Sequence, residues 1–156
     1  MSSNRLDRLW ADYQEHHRTS GNKYCHMTGI PLIIVGLLGL LGVPLFQLGP
    51  LTVNVSLLVV LAMGAVYVWL DARLGAAMIV ASLLLWLVAR MLSWQVALAV
   101  FAVGWMFQFI GHGVYEKRSP AFYKNLAHLV VGPLWVLNHL VHLRGERAGS
   151  PVSTRS

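Results

Sequence analysis

Long stretches without a single charged residue constrain this chain more than any other feature. No Asp, Glu, Lys or Arg occurs in 27–70, 74–89 or 91–115. Only 12% of the residues are charged and 56% are hydrophobic, whereas about a quarter of an average soluble domain is charged. The chain is therefore predicted to be a membrane protein. A disordered chain, a disulfide scaffold and an ordinary water-soluble enzyme are excluded.

The length of the first run indicates how often the chain crosses the membrane. As one helix, 27–70 would be about 66 Å long, roughly twice the thickness of a hydrocarbon core. It must cross twice, and Pro44 and the Gly49-Pro50 pair mark the turn. Four transmembrane helices are predicted, at about 30–47, 52–70, 74–91 and 94–115.

Two further helices flank these spans. Apolar residues recur every three or four positions in Asn4–Arg18, which predicts an N-terminal amphipathic helix, and Asn22 is a plausible cap for the helix that follows. The segment 120–143 is less apolar and is predicted to be an interfacial or partly buried helix. The expected fold is all-α, a polytopic membrane helical bundle in one domain, 1–147, followed by a polar tail, 148–156.

Basic residues are concentrated near the two chain ends, and this explains the net charge of +6. Loops rich in Lys and Arg stay on the cytoplasmic side of a membrane. Both termini are therefore expected to be cytoplasmic, in the inner membrane if the protein is bacterial and in the endoplasmic reticulum if it is eukaryotic. Because topology accounts for the basic residues, no nucleic-acid partner is expected.

This topology places all seven histidines near one membrane face. Neutral imidazole is a common ligand of iron, zinc and copper, so the cluster suggests a metal site. The alternative is that the rings merely sit at the interface in a non-enzymatic membrane bundle. The histidines that could converge in one layer are His17, His26, His112 and His128.

Glu116 lies four residues after His112, so both side chains could face one ion on a helix. An ion pair with a nearby cation explains Glu116 equally well. Gln108 lies one turn before His112 on the same face.

Two motifs stand out, Tyr13-x3-His17-x4-Asn22-x3-His26-x2-Gly29-x-Pro31 and Gln108-Phe-Ile-Gly-His112-x3-Glu116-Lys-Arg-Ser-Pro120-Ala. They resemble the signature of a small membrane-protein family, whose characterised fungal member is an iron(II)-dependent 2-hydroxy fatty acid dioxygenase of the endoplasmic reticulum. A segment at Gly132-Pro133 is similar to the family's C-terminal helix.

The resemblance implies α-oxidation, in which Fe(II) and O2 convert a 2-hydroxy fatty acid to the acid that is one carbon shorter. The acyl tail would lie between the spans, in an apolar slot continuous with the membrane lipids. A different histidine–metal lipid oxidase is an alternative. The implied metal ligands are His17, His26 and His112, with His128 as the fourth and His139 as its alternative. Glu116 would either hold one imidazole in place or ligate the metal itself. The groups that would hydrogen-bond the substrate carboxylate or a metal ligand are Tyr13, Asn22 and Gln108.

Overall fold

The computed structural model describes residues 3–15, 17–117 and 127–143. Within these ranges the chain is mostly helical, as predicted, with one short β-hairpin. The elements are α1 (Ser3–Glu15), α2 (Ser20–Leu40), β1 (Pro44–Leu48), β2 (Leu51–Asn54), α3 (Val55–Leu70), α4 (Ala72–Ala89), α5 (Trp94–Ile110), a π-helix (Gly111–Glu116) and α6 (Ala127–Val141). The predicted tail, 148–156, lies outside the described residues.

Three helical segments of the described chain are long and apolar enough to cross a membrane: Ser20–Leu40, Ala72–Ala89 and Trp94–Glu116. Helix α3 is equally apolar but has 16 residues, fewer than the roughly 20 that span a hydrocarbon core. The structure thus agrees with a membrane helical bundle and provides three full-length spans of the four that were predicted.

Helix α2 begins at Ser20, about ten residues before the predicted span at 30–47 and three before the helix start that a cap at Asn22 implies. Its N-cap is Thr19, whose hydroxyl accepts a hydrogen bond from the Asn22 backbone N–H, so the prediction of Asn22 as the cap was wrong. The predicted span began where the polar residues end, but a capped helix continues through polar sequence as well. As a result, Asn22 and His26 lie on the first two turns of a long helix and are buried.

The end of the first predicted span and the start of the second instead form the antiparallel β1–β2 hairpin. Pro44 lacks a backbone N–H and disfavours a helical conformation, and Gly49 takes a positive φ of 59° at the turn, a conformation that favours glycine. The turn was therefore predicted at the right residues, but the strands beside it were not. Asn54 then caps α3 by accepting from the Leu57 N–H at 2.9 Å.

The helices are arranged around α2. Helix α5 packs on α2, α3 packs on α4, and α4 also contacts α2. Helices α1 and α6 pack against each other at one end of this bundle and share its larger core cluster with the facing ends of α3 and α4. The buried members of that cluster are Leu6, Trp10, Tyr13, Tyr67, Leu70, Leu74, Met78, Val131, Leu134, Trp135 and Val136.

Candidate metal centre

Three histidines from three different parts of the chain lie close together at the end of the bundle near α1 and α6. His17 lies between α1 and α2, His26 lies on α2, and His112 lies on the π-helix. Each is at most 3% exposed. One ring nitrogen from each lies within 4.8 Å of the others, so the three form a buried cluster of metal-ligating type.

Backbone hydrogen bonds orient two of these rings. The Nδ1 atom of His17 lies 2.6 Å from the Tyr13 carbonyl oxygen, and the Nδ1 atom of His26 lies 3.0 Å from the Asn22 carbonyl oxygen. A carbonyl only accepts, so each Nδ1 carries the ring proton and donates it, and each Nε2 carries a lone pair. Metal-ligating histidines are commonly held in this way.

The two Nε2 atoms face each other at 3.0 Å. Burial lowers the pKa of His17 to about 4, so this ring is neutral near pH 7 and offers no second proton for a hydrogen bond between the rings. Two lone pairs at this distance repel each other unless a cation lies between them. The separation lets both nitrogens reach one metal ion at bond lengths of about 2.1 Å.

The π-helix presents His112 to the other two rings. The His112 ring centroid lies 5.0 Å from that of His17 and 4.9 Å from that of His26. Such π-turns are rare and frequently occur at functional sites. In this one, the Lys117 N–H bonds to the His112 carbonyl, five residues back.

Glu116 does not point at the cluster but at the start of α2. Its Oε1 atom accepts from the Thr19 N–H at 2.8 Å, from the Thr19 hydroxyl at 3.1 Å and from the Asn22 side-chain amide at 3.3 Å. The predicted alignment of Glu116 with His112 assumed α-helical geometry, and the wider π-turn changes that alignment. Glu116 was predicted to hold an imidazole or to ligate, whereas its contacts are to Thr19 and Asn22 at the start of the helix that carries His26.

Tyr13 and Gln108 lie beside the cluster and line the cavity described below. The Tyr13 ring stacks on His17 with centroids 3.9 Å apart, and burial raises the pKa of its phenol, which therefore stays protonated. Neither the Tyr13 hydroxyl nor the Gln108 Nε2 has a hydrogen-bond partner among the described residues, although both are buried. Buried donors of this kind usually find a partner, so these two atoms are suited to bind a ligand that accepts hydrogen bonds.

Asn22, the third predicted contact to a substrate, instead forms hydrogen bonds within the protein. Its side-chain amide donates to the Glu116 carboxylate, its backbone carbonyl oxygen accepts from the His26 ring, and its side chain packs against Gly111. It is not among the residues that line the cavity.

His128 lies near the three histidines but is paired with another residue. Its Nε2 atom lies 2.7 Å from the Asp12 carboxylate, and its ring contacts Tyr13 edge-on at a centroid distance of 5.7 Å. It lines the cavity. The pairing with Asp12 was not predicted, because Asp12 is on the polar side of α1 and is separated from His128 by 116 residues. His139, the alternative, stacks on Trp135 and is exposed.

A cavity of about 440 Å³ extends from the histidines between the helices, a volume typical of small-molecule sites. Polar side chains line one end and mainly apolar side chains line the rest. The polar end consists of Tyr13, His17, His26, Gln108, His112 and His128, and the remaining lining comes chiefly from Ile, Leu, Val and Met of α2, α3, α4 and α6 together with Phe101 and Trp105 of α5. Such a shape fits an amphiphile with a small polar head and a long apolar tail.

Comparison with known proteins places this chain in a family. The family profile described as "2-hydroxy-palmitic acid dioxygenase Mpo1-like" matches residues 3–143. The chain is also 32% identical to "2-hydroxy-palmitic acid dioxygenase MPO1" of Saccharomyces cerevisiae over 127 residues, which are 80% of this chain and 73% of the yeast protein. No solved structure matches the chain. The matched region contains all three clustered histidines, and the chain belongs to the Mpo1-like family.

Proposed function

We propose that this protein is an iron(II)-dependent dioxygenase that shortens 2-hydroxy fatty acids by one carbon. In the balanced reaction, the 2-hydroxy acid and O2 give the shorter fatty acid, CO2 and water. The bond between C1 and C2 breaks, C2 is oxidised to the new carboxyl carbon, and O2 is reduced. No external reductant is needed, because the substrate supplies all the electrons.

One observation carries this proposal: the Nε2 lone pairs of His17 and His26 face each other at 3.0 Å, with His112 beside them, at the polar end of an otherwise apolar cavity. The name of the yeast relative supports the substrate class. Imidazole nitrogens suit iron as well as zinc, copper and nickel, so the choice of iron rests on the dioxygenase reaction and is part of the proposal.

We assign His17, His26 and His112 as the metal ligands. His128 would have to give up its bond to Asp12 to ligate through Nε2, so we place it beside the substrate instead. An iron(II) ion held by the three rings would supply the one-electron chemistry that O2 requires in order to react with an ordinary organic acid. The hydrogen bonds to the Tyr13 and Asn22 carbonyls keep two of the rings in the ligating tautomer.

The residues around the cluster would orient the substrate. The Tyr13 hydroxyl and the Gln108 side-chain amide are buried donors and would bind the carboxylate of the 2-hydroxy acid. The apolar remainder of the cavity would hold the acyl tail and exclude water from the head group. Together these contacts hold the C1–C2 bond next to the histidine cluster, which is a proximity effect.

The placement of Lys and Arg supports a histidine end that faces the cytoplasm, with both termini on that side. A tag added after Ser156 should therefore react with a membrane-impermeant reagent only from the cytoplasmic side. Reaction from the opposite side alone would reject this orientation.

Metal analysis of anaerobically purified protein tests the centre directly. We expect about one iron per chain, and the His17→Ala and His112→Ala variants should lose it. His139→Ala is the matched control and should keep it, because that ring is exposed and stacked on Trp135.

The reaction is tested separately. Protein supplied with Fe(II), O2 and 2-hydroxyhexadecanoate should release pentadecanoate and CO2. If wild-type protein and His26→Ala give equal amounts of product, the assignment of the centre is wrong. If the wild type binds iron but gives no shortened acid, the metal site stands and the proposed reaction fails.

A further inference from the structure

The apolar part of the cavity is a groove that runs along α2. One wall is formed by side chains that recur every three or four residues along α5 and into the π-helix that follows it. They are Phe101, Trp105 and Gln108 of α5 and His112 of the π-helix. Residues of α3 form the opposite wall, and the first turns of α6 cover the histidine end. In the described chain, α5 packs chiefly on α2, and α3 packs chiefly on α4. The wall formed by α5 and the wall formed by α3 therefore lie on either side of α2.

The polar and the apolar side chains that line the groove differ sharply in exposure. Every polar side chain at the histidine end, including Tyr13, Gln108 and His128, is at most 6% exposed. By contrast, Leu37 at the tail end of the groove is 39% exposed, and Leu129, which follows His128 on α6, is 48% exposed. The exposed part of the lining is therefore apolar, whereas the polar part is enclosed by protein.

Leu37 belongs to a helix that is long enough to cross the membrane. The outward faces of α3 and α4 also carry exposed apolar side chains such as Leu61 and Leu84. The opening of the groove is thus continuous with the surface that faces lipid, and an acyl chain is the occupant that matches it chemically.

We propose that the fatty acid enters sideways from the bilayer, through the opening between α3 and α5, and that the enclosed histidine end accepts only a free carboxyl head group. This inference rests on the proposed function, because it takes the substrate to be a fatty acid. A lipid with a phosphate or sugar head group would have to bury that group without enough partners, which is strongly unfavourable. The end of the tail remains in contact with the bilayer, so longer acyl chains are accepted.

A photoreactive fatty acid tests the route without depending on turnover. The probe is a 2-hydroxy fatty acid with a diazirine in the middle of its chain, dissolved in phosphatidylcholine vesicles that contain the protein. We expect labels on α2 between 33 and 37 and on α5 between 101 and 105, identified by mass spectrometry. Labels confined to α1 or to the segment 17–22 would overturn the proposal.

Two matched substitutions test whether the groove is used during the reaction. Leu37→Trp places a bulky ring in the groove and should lower both labelling and kcat/KM by at least about tenfold. Leu61→Trp makes the same change on a lipid-facing surface outside the groove and should leave both unchanged. Iron content serves as the check that each variant is folded, and equal behaviour of the two folded variants would overturn the proposal.

The head-group restriction has its own measurement. A phosphatidylcholine that carries a 2-hydroxyacyl chain should neither be converted nor displace the photoreactive probe. Displacement by this lipid would overturn the restriction. If the wild type is labelled in the groove but converts no 2-hydroxy acid, the entry route stands and the proposed reaction fails. If the acid is converted but the labels lie elsewhere, the reaction stands and the entry route fails.

Discussion

The Glu116 carboxylate accepts a hydrogen bond of 2.8 Å from the backbone N–H of Thr19. Glu116 ends the π-helix that carries His112, and Thr19 begins the helix that carries His26. His17 lies two residues before Thr19. A single carboxylate therefore joins the two chain segments that supply the three clustered histidines, although it is not one of the cluster itself.

Removal of this carboxylate should weaken both the fold and the metal site. Glu116→Ala leaves the Thr19 N–H and the Asn22 amide without their acceptor, so we expect the free energy of unfolding to fall by about 1–3 kcal/mol. Iron affinity should fall by roughly 10–100-fold, as for other groups that orient metal ligands. Denaturation in detergent and a metal titration measure the two effects.

Glu116→Gln separates positioning from charge. Its side-chain oxygen still accepts from Thr19, so both losses should be smaller than in Glu116→Ala. Glu15→Ala is the control: Glu15 is 64% exposed and pairs with Arg18 at 3.8 Å, and such pairs contribute at most about 1 kcal/mol. Iron affinity that is the same in Glu116→Ala and in the wild type would refute the positioning role.

Metal removal should destabilise the wild type through the facing nitrogens of His17 and His26. Iron(II) at one hundred times its Kd stabilises a folded state by about 2.7 kcal/mol, which corresponds to roughly 8 °C in Tm for a chain of this size. A chelator should reverse that shift. His26→Leu removes one of the two opposed lone pairs, so the Tm of this variant should not respond to iron or to chelator.

The control for this experiment is His139→Ala, which should retain the full iron-dependent shift. The metal-free forms add a second comparison. His26→Leu should be at least as stable as metal-free wild type, because it relieves the lone-pair repulsion and places an apolar side chain in a buried site. A wild-type Tm that does not change with iron would contradict the metal centre.

The convergence of His17, His26 and His112 could be predicted from the sequence because helices that cross a membrane alternate in direction. Residues before the first span and after an even number of spans then lie at the same end of the bundle. The charge-free runs predicted where those spans lie, because such long apolar segments would not remain exposed to water. The same reasoning also predicted a turn at Gly49-Pro50, where the structure has one.

Other features arise from interactions that single-sequence patterns do not record. The pairing of His128 with Asp12 depends on how α6 packs against α1, and the π-turn after α5 leaves no periodic signal in a run of six residues. The contact of Glu116 with Thr19 follows from that turn. The hairpin at 44–54 was not predicted, because its strands are as apolar as the neighbouring helices and periodicity alone does not separate the two.

The Tyr13 hydroxyl should matter for substrate binding and little for stability. Tyr13→Phe keeps the ring that stacks on His17 and the backbone carbonyl that accepts from it, so iron content should not change. The hydroxyl has no partner among the described residues, so its loss should leave the free energy of unfolding unchanged or slightly raised. Loss of a hydrogen bond to a carboxylate should lower kcat/KM by roughly 10–100-fold.

Tyr24→Phe is the matched control for that change. Tyr24 lies near the start of α2, at the same end of the bundle as Tyr13, but its side chain is 70% exposed. It should have wild-type iron content and wild-type kcat/KM. Tyr13→Phe with wild-type kcat/KM would show that the phenol does not contact the substrate. A loss of iron in Tyr13→Phe would instead indicate that the hydroxyl supports the metal centre.

The contact between α2 and α5 should tolerate no added methyl group at Gly36. A Cβ at this position would lie 2.5 Å from the backbone nitrogen of Phe101 and 2.7 Å from its Cα, and a backbone cannot move aside as a flexible side chain can. Gly36→Ala should therefore push α5 away from α2 and lower the free energy of unfolding by about 1–3 kcal/mol. Because Phe101 lines the groove, KM for 2-hydroxyhexadecanoate should rise as well.

Gly113→Ala provides the comparison, since a Cβ there would meet no atom within 4 Å. Alanine favours helix over glycine by up to about 1 kcal/mol, so this variant should be as stable as the wild type or slightly more stable. Thermal unfolding of the two variants in the same detergent measures the difference. If Gly36→Ala unfolds at the wild-type temperature, α2 and α5 can move apart with little loss of stability. Their close approach at Gly36 would then not be what holds the α5 wall of the groove in place.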